Sequence, residues 1–255
     1  MPKVRLYLFT LLMIITGLIS TITSAGEIRV AVASNFYPAI KEIALQYELK
    51  TTSLAQNHKV ILIPGSSGKH YSQILNGAPF DVFLSADSLR PSLLERKELS
   101  EKNSRFTYAI GRLVLWSPKN NLEVNIETLF QKNFRFLAIA NPKIAPYGIA
   151  AKDALTSLSL WKEIQEKIIR GENIAQTFQF VDSGNAKLGF VSYSQLVNPN
   201  YPVEGSFWEI PQNLYRPIEQ QAVLLKDSEL GKDFLAFLQT EKSLNIITKN
   251  GYRLP

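Results

Sequence analysis

Residues 27–96 alternate short runs of small and β-branched apolar residues with longer amphipathic runs, and few architectures accept that grammar. EIRVAVAS (27–34) has the continuous apolar character of a strand covered on both faces. NFYPAIKEIALQYELK then sets Phe36, Ile40, Ile43, Ala44 and Tyr47 along one helical face, with Pro38 in the first turn, where a missing N–H does no harm. KVILIPG, SSGKHYSQILNG and FDVFLSAD repeat the order strand, helix, strand, and Asp87 as a cap with Pro91 opens a further helix. Beyond the extended stretch 105–120, FRFLAIANP, YGIAAKDALTSLSLW, ENIAQTFQFVDSGN and KLGFVSYS read as strand, helix, helix and strand. NLYRPIEQQAVLL (214–225) is strand-like again, and GKDFLAFLQTEKSLNIITKNG reads as one last helix stopping at Gly251. This alternation predicts an α/β fold of two lobes, each a mostly parallel sheet flanked by helices. The expected division is 26–110 with 217–255 as lobe 1 and 111–216 as lobe 2, with a cleft between them.

The first 25 residues stand outside this pattern. Lys3 and Arg5 precede an apolar run from Leu6 to Ile19, and Thr23-Ser24-Ala25 supplies small residues. That is the layout of a secretory signal peptide cleaved after Ala25, and the run is short for a membrane anchor. With no Cys anywhere, a lipid anchor, a disulfide framework, thiolate metal sites and a Cys nucleophile are all excluded. An exported chain without disulfides fits the periplasm, stabilised by size and packing. The formal charge of +6 falls to +4 when Lys3 and Arg5 are lost, and no basic block with interleaved aromatics indicates a nucleic-acid surface.

In open α/β sheets ligands lie beyond the carboxyl ends of the strands. Four strand-to-helix junctions therefore draw attention: Ser34-Asn35, Gly65-Ser66-Ser67-Gly68, Ala145-Pro146-Tyr147-Gly148 and Glu172-Asn173-Ile174. The first N–H groups of a helix lack internal partners and carry the positive end of its dipole, so they are ready donors to an oxyanion. Ser34 and Ser67 can each add a hydroxyl. Taken singly, each junction is more simply a helix cap, and only convergence of the four on one cleft would make a site. Other chemistry fits poorly. Gly68-Lys69 is followed by His70 rather than the Ser or Thr of a phosphate-binding loop, and G-x-S-x-G is absent. His58 and His70 have no second imidazole at helical spacing, so no zinc site is expected, and His70 reads as a surface or capping residue. Trp116, Trp161 and Trp208 read as packing residues.

Six blocks in order, VAVASNFYPAIKEIA, GSSGKHYSQILNGAPFDVFLSAD, RFTYAIGRLVLWS, AIANPKIAPYGIAAKDAL, GENIAQTFQFV and KLGFVSYSQL, resemble the periplasmic molybdate-binding proteins of ABC transporters over nearly the whole chain after residue 25. The resemblance implies the two-lobed fold of periplasmic binding proteins of type II. It implies a non-enzymatic, monomeric receptor for molybdate and tungstate that hands its cargo to an inner-membrane ABC permease, with no cofactor. Carried over residue by residue, the oxyanion would be held by the hydroxyls of Ser34 and Ser67 and the main-chain N–H groups of Tyr147 and Ile174. Members of the family place a Tyr three residues after the Gly of KLGFVSYS. Here Ser192 stands at that position and Tyr193 one step later, so a fifth contact from Ser192, from Tyr193 or from neither stays open. Binding of sulfate by the same architecture, or hydrolysis with Ser67 as nucleophile, are the rival readings; the latter needs an oriented base that the sequence does not offer.

Overall fold

The computed structural model describes residues 26–120, 122–199 and 203–255, so the signal-peptide reading lies outside the described residues. Two five-stranded sheets organise the chain. The first has the order β2-β1-β3-β10-β4 and is built from β1 (Glu27–Ala33), β2 (Lys59–Gly65), β3 (Val82–Ser85), β4 (Phe106–Gly111) and β10 (Ile218–Leu224). The second has the order β7-β6-β8-β5-β9, from β5 (Leu113–Ser117), β6 (Leu137–Ala140), β7 (Ile168–Gly171), β8 (Leu188–Ser192) and β9 (Ser206–Glu209). In each sheet three strands run parallel and the remaining two pair antiparallel. The chain leaves the first sheet at Arg112, the single residue between β4 and β5, and returns between β9 and β10.

The inner parallel strands β1, β3, β6 and β8 are buried along most of their length because helices cover both faces, whereas the edge strands β2 and β7 are partly exposed. On the first sheet, α1 (Tyr37–Ser53) lays Ile40, Ile43, Ala44 and Tyr47 against β1 and against α8 (Glu229–Leu238), where Tyr47 meets Phe234 edge-on. The opposite face carries α2 (Ser67–Leu75) and α3 (Leu89–Arg96), packed over Ala31, Phe83 and Val223. On the second sheet, α5 (Pro146–Ser157) covers one side and α6 (Ile174–Asp182) the other. Two shorter helices, α4 (Ile126–Gln131) and α7 (Tyr193–Leu196), complete this unit.

The C-terminal run differs from its sequence reading. It is two helices, α8 and α9 (Glu241–Lys249), because Thr240 turns extended and caps the second while the Ser243 hydroxyl closes on the Phe237 carbonyl at 2.7 Å. KLGFVSYS likewise ends as a strand at Ser192, so that Tyr193 opens α7 instead of continuing the pleat.

Trp116 anchors the second unit. It is fully buried, stacks on Phe178 of α6 with 4.8 Å between ring centroids, and donates its indole N–H to the Glu204 carbonyl. Trp116→Ala is expected to cost about 3–5 kcal/mol of unfolding free energy, read from urea denaturation.

Candidate functional site

The four junctions meet. Ser34, Asn35, Ser66, Ser67, Tyr147, Asn173 and Ile174 line one cavity beyond the carboxyl ends of β1, β2, β6 and β7, and its apolar remainder includes Ala33, Ala86 and Ala145. Both sheets contribute, so the cavity lies in the cleft between the two units. Among the described residues, no carboxylate, amine, guanidinium or imidazole lines it.

Hydrogen bonding divides each helix start into groups satisfied by protein and groups left over. In α2 the Ser66 hydroxyl accepts from Lys69 N–H, Gly68 N–H donates to the Ile144 carbonyl at 2.8 Å, and His70 N–H returns to the Ser66 carbonyl. Ser67 N–H is the donor left over. The Ser67 hydroxyl oxygen accepts from Ala86 N–H at 2.9 Å, which leaves its own proton for the cavity. The two serines of Gly65-Ser66-Ser67-Gly68 thus divide the work, the first as cap and the second as donor.

At α5 the residue in the capping position is Ala145, which has no side chain to accept. Pro146 has no N–H, and Gly148 N–H bonds the Ala145 carbonyl, so Tyr147 N–H remains. At α6 the Asn173 side chain takes Gln176 N–H at 3.0 Å, which leaves Ile174 N–H at the cavity. Ser34 N–H is tied to the Gly65 carbonyl, whereas its hydroxyl has no partner among the described residues. Asn35, which sequence reasoning passed over as a donor, also keeps its N–H unpartnered at the cavity wall.

Ser192 is placed differently. It does not line this cavity, and its hydroxyl pairs with that of Ser194, which reaches the Asn35 carbonyl. Tyr193 points away as well: its ring lies under the Arg112 guanidinium at 3.8 Å and beside Phe207. Behind the cavity the two units share a buried polar cluster. Asn35 Nδ2 donates to Gln220 Oε1 (2.8 Å) and to the Tyr252 hydroxyl (3.0 Å), the Tyr252 hydroxyl donates to the Asn35 carbonyl, and Tyr108 reaches the Ser85 carbonyl. The Tyr147 hydroxyl projects into this cluster without a well-formed hydrogen bond, although Ser192 and Gln220 lie near enough to influence its ionisation. Burial holds that phenol well above its ordinary pKa.

His70 is a correction to the sequence reading, since it is buried and not at the surface. Its Nε2 donates to the Val32 carbonyl at 3.3 Å, Nδ1 lies 3.0 Å from the Gln73 amide, and the ring meets Phe80 edge-on. Gly65 is a glycine for this reason, because a Cβ there would come within 2.7 Å of the imidazole. The sequence clue was the Gly five residues upstream, which makes room for the ring.

The sequence and the fold both match known proteins. Residues 28–253 match the bacterial extracellular solute-binding protein family, and the chain belongs to it. It is 44% identical to the molybdate-binding protein ModA of Azotobacter vinelandii over 93% of this chain and 94% of that protein. Identity to the ModA of Rhodobacter capsulatus is 41%, covering 90% and 89%. The solved Azotobacter vinelandii periplasmic molybdate-binding protein superposes with a TM-score of 0.84 at 39% identity, covering 89% of this chain and 99% of that one.

Burial lowers the His70 pKa below its ordinary value of 6.5. Below about pH 6.5 the unfolded chain takes up a proton that the folded chain refuses, so stability falls as pH drops through that region toward the folded pKa. Urea unfolding measured from pH 7.5 to 5 is expected to show this loss, and His70→Gln to flatten that part of the profile.

Proposed function

We propose that the chain captures molybdate, and tungstate with it, in the periplasm and delivers it to an inner-membrane ABC permease. It acts as a monomer, without catalysis or a resident cofactor, and leaves its first 25 residues behind on export. In this reading 26–110 with 217–255 forms one lobe and 111–216 the other. Ser34 and Ser67 donate through hydroxyls, and Tyr147 and Ile174 through main-chain N–H groups. Ser192 contributes from behind, through the cluster around the Tyr147 ring.

The observation that carries this reading is a cleft whose unspent polar groups are donors and whose lining has no ionised side chain. Molybdate and tungstate are fully deprotonated at neutral pH and accept on every oxygen. Hydrogen phosphate brings a proton that would face a donor, leaving an unmatched polar contact. Sulfate is proton-free but smaller, so donors fixed on two units for a larger ion hold it less well. Hydrogen bonds to charged groups contribute about 1.5–3 kcal/mol each, enough for several of them to offset about 4–15 kcal/mol of lost freedom on association. The same lining argues against hydrolysis, because none of the described residues lining the cavity is a carboxylate or imidazole that could take the Ser67 proton.

Titration calorimetry of ligand-free protein with molybdate, tungstate, sulfate and phosphate decides the matter. Molybdate and tungstate are expected to bind strongly, sulfate weakly and phosphate not at all; preference for phosphate or sulfate would refute the reading. Ser34→Ala and Ser67→Ala should each weaken molybdate roughly ten- to hundredfold, and Ser192→Ala far less. Molybdate at about a hundred times its dissociation constant should add about 2.7 kcal/mol to stability, visible as a rise in Tm of several degrees.

A further inference from the structure

We propose that Gly68 and Ile144 form the seam at which the two units meet as the cleft shuts, that the seam closes only if residue 68 is glycine, and that Lys69 with Glu172 clasps it. The proposal rests on the oxyanion reading above and adds to it the residues that fix the closed geometry. Gly68 N–H is one of the orphan donors at the start of α2, yet it is directed at the Ile144 carbonyl of the other unit, 2.8 Å away, and not at the cavity. Ile144 stands three residues before Tyr147, and Gly68 directly follows Ser67. One backbone hydrogen bond therefore sets the distance between a donor from one unit and a donor from the other.

There is no room for a side chain at this point. A Cβ on Gly68 would lie 2.7 Å from the Ile144 oxygen and 2.8 Å from the Ile144 Cα, main-chain atoms that yield only if the whole unit backs away. It would also come within 2.9 Å of the Arg90 guanidinium, which is held by an ion pair to Asp87. Gly68 sits in ordinary helical backbone and is not among the residues of positive φ. Alanine is a better helix former than glycine, so helix propensity in the first unit gives no reason to keep glycine there. Within that unit only the tip of the Arg90 side chain stands close, and the main-chain obstruction comes from the opposite unit.

The next residue reinforces the seam. Lys69 Nζ lies 2.6 Å from Glu172 Oε1, which precedes the Asn173-Ile174 junction of the second unit, and both side chains are about half exposed. Such a pair is weak in a single unit, but here it bridges the two units beside the cavity.

Calorimetry with sodium molybdate, paired with small-angle X-ray scattering, tests this on the full protein. Wild type is expected to contract on binding. Gly68→Ala should keep the ligand-free stability of wild type, bind molybdate roughly tenfold weaker or worse, and stop short of the wild-type bound radius. Ser67→Ala, which removes a donor and leaves the seam, should bind weakly yet contract fully at saturation. The pair Lys69→Met with Glu172→Gln keeps the net charge, and it should weaken binding about two- to fivefold at low salt, a difference that shrinks as salt rises. Because its side chains are half exposed, this double variant stands as a test apart from any effect of Gly68→Ala on folding. Wild-type affinity and contraction in Gly68→Ala, or no change in the double variant at low salt, overturns the seam. Wild type that binds none of the four oxyanions overturns the functional reading, and the seam's part in capture with it.

Discussion

An α-helix cannot satisfy the N–H groups of its own first turn, and the cleft is built from that shortfall. Three helices, α2, α5 and α6, begin at its wall, and each leaves a donor at the cavity while other early N–H groups are satisfied by caps and, for Gly68 of α2, by the Ile144 carbonyl of the other unit. Ser66 and Asn173 each take the N–H three residues on, as caps do elsewhere, and the first helical N–H stays free. At α5 an alanine and a proline reach the same result by having nothing to offer. In the proposed capture of an oxyanion, capping and ligand binding are complementary: the cap holds the helix start so that the remaining donor is fixed before any ion arrives. Preorganised donors lose little freedom on binding, which is where an uncharged site gains its strength.

The absence of ionised groups from the lining follows the same economy. A lysine or arginine in the cavity would attract any anion, phosphate included, whereas neutral donors discriminate by proton count and by reach. The nearby charges are paired instead. Arg90 is joined to Asp87, whose carboxylate also accepts from Arg90 N–H, and Lys69 is joined to Glu172.

Much of this was legible in the sequence, and for identifiable reasons. β1, β2 and β6, which end at the cleft, are largely apolar runs followed by or ending in Ser, Gly or Asn, and the helices after them bury one face, so α/β order and the junctions after these strands could be read directly. What escaped was decided by partners remote in sequence. β7 is a four-residue edge strand flanked by charged residues, and β9 is equally short and half exposed, so neither has enough pattern to announce itself. The break between α8 and α9 turns on one threonine inside an unbroken helical stripe. His70 has the composition of a capping turn and is buried only because Gly65, Phe80 and Phe83 surround it. Asn35 was read only as part of the Ser34-Asn35 junction, whereas its side chain is tied to Gln220 and Tyr252, more than 180 residues away.

Those long-range ties show how the two sides of the cleft are made to act together. Asn35 lines the cavity with its backbone while its side chain is held by β10 and by the C-terminal segment, both beside the crossing between the sheets. Tyr147 mirrors it from the other unit, with its N–H at the cavity and its phenol against Gly111 and Gln220, where a Cβ on Gly111 would collide with the hydroxyl. Each of these residues therefore spans from the cavity wall to the strands β4 and β10, which flank the crossing between the sheets. In the proposed capture of an oxyanion, an ion that fixes both backbones would fix the angle between the sheets. The buried Tyr147 hydroxyl and Gln220 Nε2 have no well-formed hydrogen bond, an unmet polar cost that the fold carries where the two units meet.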